Sequence, residues 1–254
     1  MKSGQDSSPA LSQDGSRPGD TRFLLGIDTC GPMGSVALGR VVAGVVEIAG
    51  LIELEGRSYS ATLVAAVRDV LAQAGIQLSG LDGIVAVNGP GSFTGVRVGL
   101  SAVKGLAEVA RIPVVSVSRL EVLAAKAGVE SSALDAHRHE VFLRLGADCA
   151  AAKELLAGVD ELAAIDLAAA RIAVCDDVAA GLLGTAWPAA ELVPVSAPTA
   201  ADALELCAAR VTQGELVDLA LLDGHYLRRP DAEISAAGIL SRAGAGAAAK
   251  AQGV

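Results

Sequence analysis

Residues 84–111 read IVAVNGPGSFTGVRVGLSAVKGLAEVAR, and the fold class turns on how this stretch divides. Ile84 to Val87 is a short apolar run of the kind a sheet buries on both faces. Gly89-Pro90-Gly91-Ser92 is turn chemistry, and Ser92 or Thr94 stands where a helix cap belongs. From about Thr94 to Arg111, residues of like character recur every three or four positions, which predicts a helix. Strand, Gly-rich turn and helix in that order make an α/β unit.

Upstream, Phe23 to Thr29 (FLLGIDT) reads as a buried strand ending in an acid. Cys30-Gly31-Pro32 is a turn, and Gly34 to Leu38, Val41 to Ile48 and Leu51 to Leu54 read as further strands. Their short connections make this edge antiparallel. Leu63, Val64, Val67, Val70, Leu71 and Ala74 share one helical face, with Gly75 as the stop. Downstream, Pro113 to Val117 reads as a strand and Leu120 to Lys126 as a helix. Ser132 to Asp135 and Glu140 to Leu145 read as strands around a turn, followed by a helix over Asp160 to Ala170. A strand at Ile172 to Cys175, a helix at Asp176 to Leu183, a strand at Leu192 to Val195 and a helix at Thr199 to Thr212 complete the pattern. Two roughly duplicated, β-rich α/β halves are expected, at 22–117 and 118–225. Residues 1–21 have the composition of a disordered arm. Residues 226–254 form a C-terminal segment with a low-complexity tail from Ser241 to Val254.

Composition narrows the function classes. The chain has 254 residues, 52% hydrophobic but only 2% aromatic, so small aliphatic side chains must fill the core. Lys and Arg number 20 against 29 Asp and Glu, a net charge of −9. Phosphate neutralisation is the main source of nucleic-acid affinity, so the chain by itself suits RNA poorly. The four cysteines, Cys30, Cys149, Cys175 and Cys207, lack zinc spacing and read as free thiols of a reducing compartment. No apolar run reaches the ~18 residues of a membrane span, and the N-terminal residues do not resemble a signal peptide. A cytoplasmic location is expected.

Three motifs carry chemistry. In GIDTCGPMGSVAL (26–38), an acid closing a core strand before a Gly-rich hairpin can meet a phosphate and its metal. Asp28 can equally satisfy an ordinary turn. In NGPGSFTGVRVG (88–99), a Gly-rich turn exposes a helix N-terminus to anions, or simply makes a tight connection. It is no Walker loop, since lysine comes only at Lys104. Asp28, Thr29, Gly91, Ser92, Thr94 and Gly95 are the residues these loops would offer a nucleotide or phosphate. In DAHRHE (135–140), His137 and His139 share a face with Asp135 if the stretch is extended. A solvated turn is the other reading, and no metal is expected there.

In order and spacing, GIDTCGPMGSVAL, NGPGSFTGVRVGLSAVKGLA, IPVVSVSRLEVLA, DAHRHEVFLRL and YLRRPDAE resemble the TsaB (YeaZ) family. GPGSFTGVR is the most specific of these, and the resemblance runs from about Phe23 to Glu233. It implies two actin-like halves related to sugar kinases. It also implies a non-catalytic scaffold that binds a TsaD-like catalytic subunit for threonylcarbamoyl transfer to the adenosine beside the tRNA anticodon. A TsaE-like ATPase would join the pair, tRNA would be met only through the complex, and self-association of the isolated chain stays open.

The catalytic paralogue binds its metal through two histidines four apart, just after the strand matching Pro113 to Val117. Here those positions are Arg119, which cannot ligate, and Leu123, which has no donor. No catalytic residues, metal or cofactor are therefore expected. The family's histidine at the start of the first long helix is Tyr59 or Ser60 here. An ATP-dependent small-molecule kinase on this fold would need a second phosphate loop, where VCDDVAAGLL offers Asp176 and Asp177. A metallopeptidase, as older "glycoprotease" naming suggests, would need the missing histidine pair.

The helix after the Gly-rich turn carries two apolar stripes. Gly95, Val98, Ala102, Gly105 and Val109 are small and suit close packing on the sheet. Val96, Leu100, Val103 and Ala107 are then free to pack on the preceding helix through Val67 and Leu71, or to meet a partner. The resemblance favours the partner, in a four-helix bundle, with Val67, Leu71, Val96, Arg97, Leu100, Val103 and Lys104 at the interface.

Overall fold

The computed structural model describes residues 21–56, 58–146, 153–165 and 171–228. The tail, the arm apart from Thr21, Cys149 and the end of the helix expected at 160–170 lie outside these residues. β1 (Arg22–Asp28), β2 (Met33–Val42) and β3 (Val45–Glu55) make an antiparallel meander. The break expected near residue 40 falls later, at Ala43 and Gly44, both at positive φ. Gly39 and Gly50 lie within strands at a bulge that skips Ala49, where the register passes from Leu38↔Gly50 to Gly39↔Ile48. A glycine inside a strand often marks such a bulge rather than a strand end.

β4 (Gly83–Val87) and β5 (Val114–Val117) extend this sheet in parallel, giving the order β3-β2-β1-β4-β5. The second sheet repeats it. β6 (Ser131–Asp135), β7 (Val141–Leu145) and β8 (Lys153–Ala157) form a meander, and β9 (Arg171–Val174) and β10 (Glu191–Pro194) add in parallel. One strand order used twice makes the α/β fold of two actin-like halves. The short β8, KELLA, carries too little alternation to read as a strand from sequence.

Helices α1 (Tyr59–Gln73) and α2 (Phe93–Ala110) cover one face of the first sheet. The other face takes α6 (Ala200–Gln213), whose Leu204 lies against Gly26 and Gly39. This corrects the division at 117/118: α6 follows the second sheet in sequence but packs on the first. Its apolar face (Ala200, Ala203, Leu204, Cys207, Val211) is buried in the first sheet's core, leaving the second sheet to other helices. There, α3 (Arg119–Lys126) sets Leu120 and Leu123 against Leu134 and Phe142. The opposite side is filled by α4 (Val159–Ala164) and α5 (Asp177–Ala186) with Trp187, whose indole donates to the Leu162 and Ile165 carbonyls at 3.1 and 2.9 Å.

The stripes of α2 are the reverse of the sequence expectation. Val96, Leu100, Val103 and Ala107 are buried, as are Val67 and Leu71 of α1. Of the small stripe, Gly95 stays buried against the Thr29 carbonyl and Val98 and Ala102 are half-buried, while Gly105 is exposed and Val109 is 82% exposed. Val64, expected on the inner face of α1, is 64% exposed. The larger stripe removes more apolar area from water, and Ala102 and Gly105 in its place would leave voids in an aromatic-poor core.

Candidate functional site

The carboxyl ends of β1, β4 and β5 converge, bringing loop 28–32, loop 88–92 and the start of α3 together. Open α/β sheets place ligands at such strand ends. Asp28 is 1% exposed there, and its Oδ1 accepts from the Cys30 N–H at 2.8 Å. Its Oδ2 is 3.3 Å from Nε of Arg119, which is 6% exposed. Burial works against the Arg119 charge, but Asp28 outweighs it and pushes the guanidinium pKa up. The guanidinium lies against Gly31, where a Cβ would collide with it.

The two Gly-rich loops meet each other rather than a shared cleft. The Ser92 N–H donates to the Cys30 carbonyl at 2.8 Å, and the Thr29 hydroxyl donates to the Gly95 carbonyl at 2.7 Å. A Cβ at Gly91 would strike the Cys30 carbonyl, and one at Gly95 the Thr29 carbonyl. Ser92 caps α2, accepting from the Gly95 N–H at 3.3 Å, and Thr94 is exposed on the first turn. The residues proposed for phosphate are thus brought together, with the Thr29 hydroxyl and the Ser92 and Gly95 N–H groups bonded within the two loops and Asp28 facing an arginine. Burial raises the Cys30 thiol pKa well above its ordinary value, leaving an inert thiol. Tyr59 donates its hydroxyl to the Gly31 carbonyl at 2.7 Å, and burial pushes its pKa up to about 12.

A metal does not fit where the catalytic paralogue holds one. Arg119 is a cation paired with Asp28, and Leu123 is fully buried among Leu120, Leu134 and Phe142. Among the described residues no group of three His, Cys, Asp or Glu is placed to hold a metal ion. Beyond Asp135, which ends β6, DAHRHE is a turn: His137, Arg138 and His139 all have positive φ, so no common strand face exists. Asp135 accepts from the His137 N–H at 2.7 Å, and Arg228 pairs with Glu140. Asp176 caps α5, accepting from the Ala179 N–H at 2.7 Å. It serves the helix rather than a phosphate.

Two clusters join residues that lie far apart in the chain, so sequence reasoning names at most single members of them, such as Arg97. In one, Glu154 accepts from Ser118 Oγ at 2.6 Å and Arg144 Nη1 at 2.7 Å, with His225 Nε2 at 2.9 Å. Burial opposes its charge, yet the hydrogen bonds from His225, Ser118 and Arg144 outweigh burial and hold the carboxyl below the usual glutamate range. A lowered folded-state pKa contributes stability that is present above the unfolded pKa and lost as pH falls through the folded one. Glu154→Gln should therefore cost about 2 kcal/mol at neutral pH. Melting curves of the two proteins should converge as the pH drops below the ordinary carboxylate range, and a gap that persists in acid would count against this role.

The other cluster is exposed. Phe93, Arg97 and Tyr226 pack together beside a groove of about 340 Å³ between α1 and α2. Tyr59, Leu63, Val64, Val98 and Ala102 supply its apolar wall. Among the described residues no helix is long and apolar enough to cross a membrane.

Residues 53–179 match the family described as TsaD, tRNA N6-adenosine threonylcarbamoyltransferase. The tRNA threonylcarbamoyladenosine biosynthesis protein TsaB of Haemophilus influenzae is 36% identical over 125 residues, 47% of this chain and 51% of that protein. The chain thus spans about half the length of the curated relatives it matches. A crystal structure of a Pseudomonas aeruginosa protein described as similar to peptidase YEAZ superposes with a TM-score of 0.66 at 31% identity, over 82% of this chain and 100% of that one. YeaZ from Pseudomonas aeruginosa gives 0.64 at 28% identity, over 81% and 100%. With the whole of a 31%-identical chain covered and half of its own length matching the TsaD family, this chain belongs to the TsaB (YeaZ) family.

Proposed function

We propose that this chain is a non-catalytic subunit that binds and holds a TsaD-like catalytic subunit for threonylcarbamoyl transfer to tRNA. The observation that carries the proposal is the outward face of α1 and α2. Val64, Val98, Ala102, Gly105 and Val109 form an apolar strip with little side-chain bulk, so a second helix pair can approach closely. The site at the strand ends supports the same reading, because Arg119 and Asp28 neutralise each other where a catalyst would need a metal or a phosphate cradle. The tRNA role comes from the relatives, which are named for threonylcarbamoyladenosine biosynthesis.

The partner face is the outer strip and not the buried stripe of Val96, Leu100 and Val103 expected from sequence. Leu100→Arg would bury a charge in this chain's own core and unfold it. The informative variant is Ala102→Arg, in the groove wall. It should melt with wild type, since water reaches the site in the free chain, and bind the TsaD-like subunit of the same genome roughly 100-fold more weakly or not at all. Wild-type affinity in Ala102→Arg would exclude this face.

A further inference from the structure

Arg97 is held in an unusual way for this chain. Several other arginines rest on an acid, among them Arg119 on Asp28, Arg144 on Glu154 and Arg228 on Glu140. The Arg97 guanidinium instead lies 3.7 Å above the centroid of the Phe93 ring and 5.9 Å from that of Tyr226. Its Nε donates to the Tyr226 hydroxyl at 3.4 Å. Among the described residues no carboxylate pairs with it. The rings are 5.1 Å apart, and they are 39% and 37% exposed. With three Phe, two Tyr and one Trp in the whole chain, two exposed aromatics side by side are a notable concentration.

Arg97 is also the one charged residue among those lining the α1–α2 groove. Covering that groove takes its guanidinium out of water, and a buried unpaired charge costs several kcal/mol. The Phe93 ring beneath the guanidinium and the Tyr226 hydroxyl on Nε hold the fork, and no described residue bonds its Nη edge, a geometry that matches a carboxylate through two parallel hydrogen bonds. A nucleic-acid strand would require a track of cations, and the groove lining holds no second one. Aromatic and arginine side chains packed together at the edge of an apolar strip are also the usual composition of interface anchors.

We infer that Arg97, positioned by Phe93 and Tyr226, is a specificity-determining anchor that receives an Asp or Glu side chain from the partner subunit. This rests on the proposed function. Tyr226 lies beyond both groove helices in sequence, so the C-terminal segment completes a surface that α1 and α2 alone do not form.

Titration calorimetry of the full chain against the TsaD-like subunit of the same genome tests it. Arg97→Met keeps the stem and removes the fork; its Kd should rise roughly 30-fold or more, with the melting temperature unchanged because Arg97 is exposed. Arg97→Glu should bind still more weakly and regain affinity when one acidic residue of the partner is changed to lysine. If Arg97→Met lowers the melting temperature, Arg97→Lys carries the test: a loss above about fivefold supports a bidentate acceptor, and no loss overturns it. Wild type that binds while Arg97→Met binds within about twofold overturns the inference and leaves the proposed function standing. Wild type that does not bind at all removes the proposed function instead. A variant that keeps subunit affinity but weakens tRNA binding by the assembled complex assigns the fork to a phosphate and also overturns it.

Discussion

Arg119→Met should lower the melting temperature by roughly 6–20 °C. Removing one member of a buried ion pair costs about 3–5 kcal/mol, and each kcal/mol moves the midpoint of a domain this size by about 2–4 °C. Asp28 would be left at 1% exposure, with the Cys30 N–H as its remaining hydrogen-bond donor. The penalty comes mainly from that stranded carboxylate, so the double variant Asp28→Asn with Arg119→Met should recover a large part of the loss. Calorimetric scans of the four proteins form a thermodynamic cycle. An Arg119→Met midpoint within about 2 °C of wild type would mean that the pair is not formed in solution. The same cycle bears on function: if the pair only holds β1 to α3, the double variant should retain affinity for the partner subunit.

Gly95→Ala should be the second severe lesion, costing roughly 3 kcal/mol or more, at or beyond the upper end of ordinary overpacking. The new methyl would fall within the contact shell of the Thr29 carbonyl oxygen, on a strand end also tied to Gly95 by the Thr29 hydroxyl. No side chain can rotate to relieve a clash with backbone, so α2 must lift from β1. Gly105→Ala, on the same helix, is the matched control. No atom would lie within 4 Å of its added Cβ, and alanine in an exposed helix interior should stabilise by up to about 1 kcal/mol. Urea midpoints at constant m would read both changes. Equal behaviour of the two variants would show that the close approach of α2 to β1 is not rigid.

Much of this molecule is legible locally. The apolar run FLLGIDT, the turn GPGS and the recurrence after Thr94 each mark one element, because strand and helix periods are imposed by neighbours within a few residues. The repetition of that pattern announces two halves, and the lack of a histidine pair at Arg119 and Leu123 is plain without coordinates. Glycine is where local reading misleads. Gly39 and Gly50 look like strand ends and mark a bulge, while Gly91 and Gly95 look like a phosphate cradle and serve close backbone packing.

The sequence by itself determined most of the elements and their alternation, since these depend on residue type and short-range spacing, while the missing ligand pair follows from the family resemblance. Only the tertiary structure decided which apolar stripe of α2 faces the sheet, which sheet receives α6, and that Asp28 is answered by an arginine 91 residues away. Both stripes satisfy the helical period equally well. The choice between them is made by the volume the opposing sheet leaves to be filled and by charges that only the folded chain brings together, and neither quantity exists in a local window of sequence.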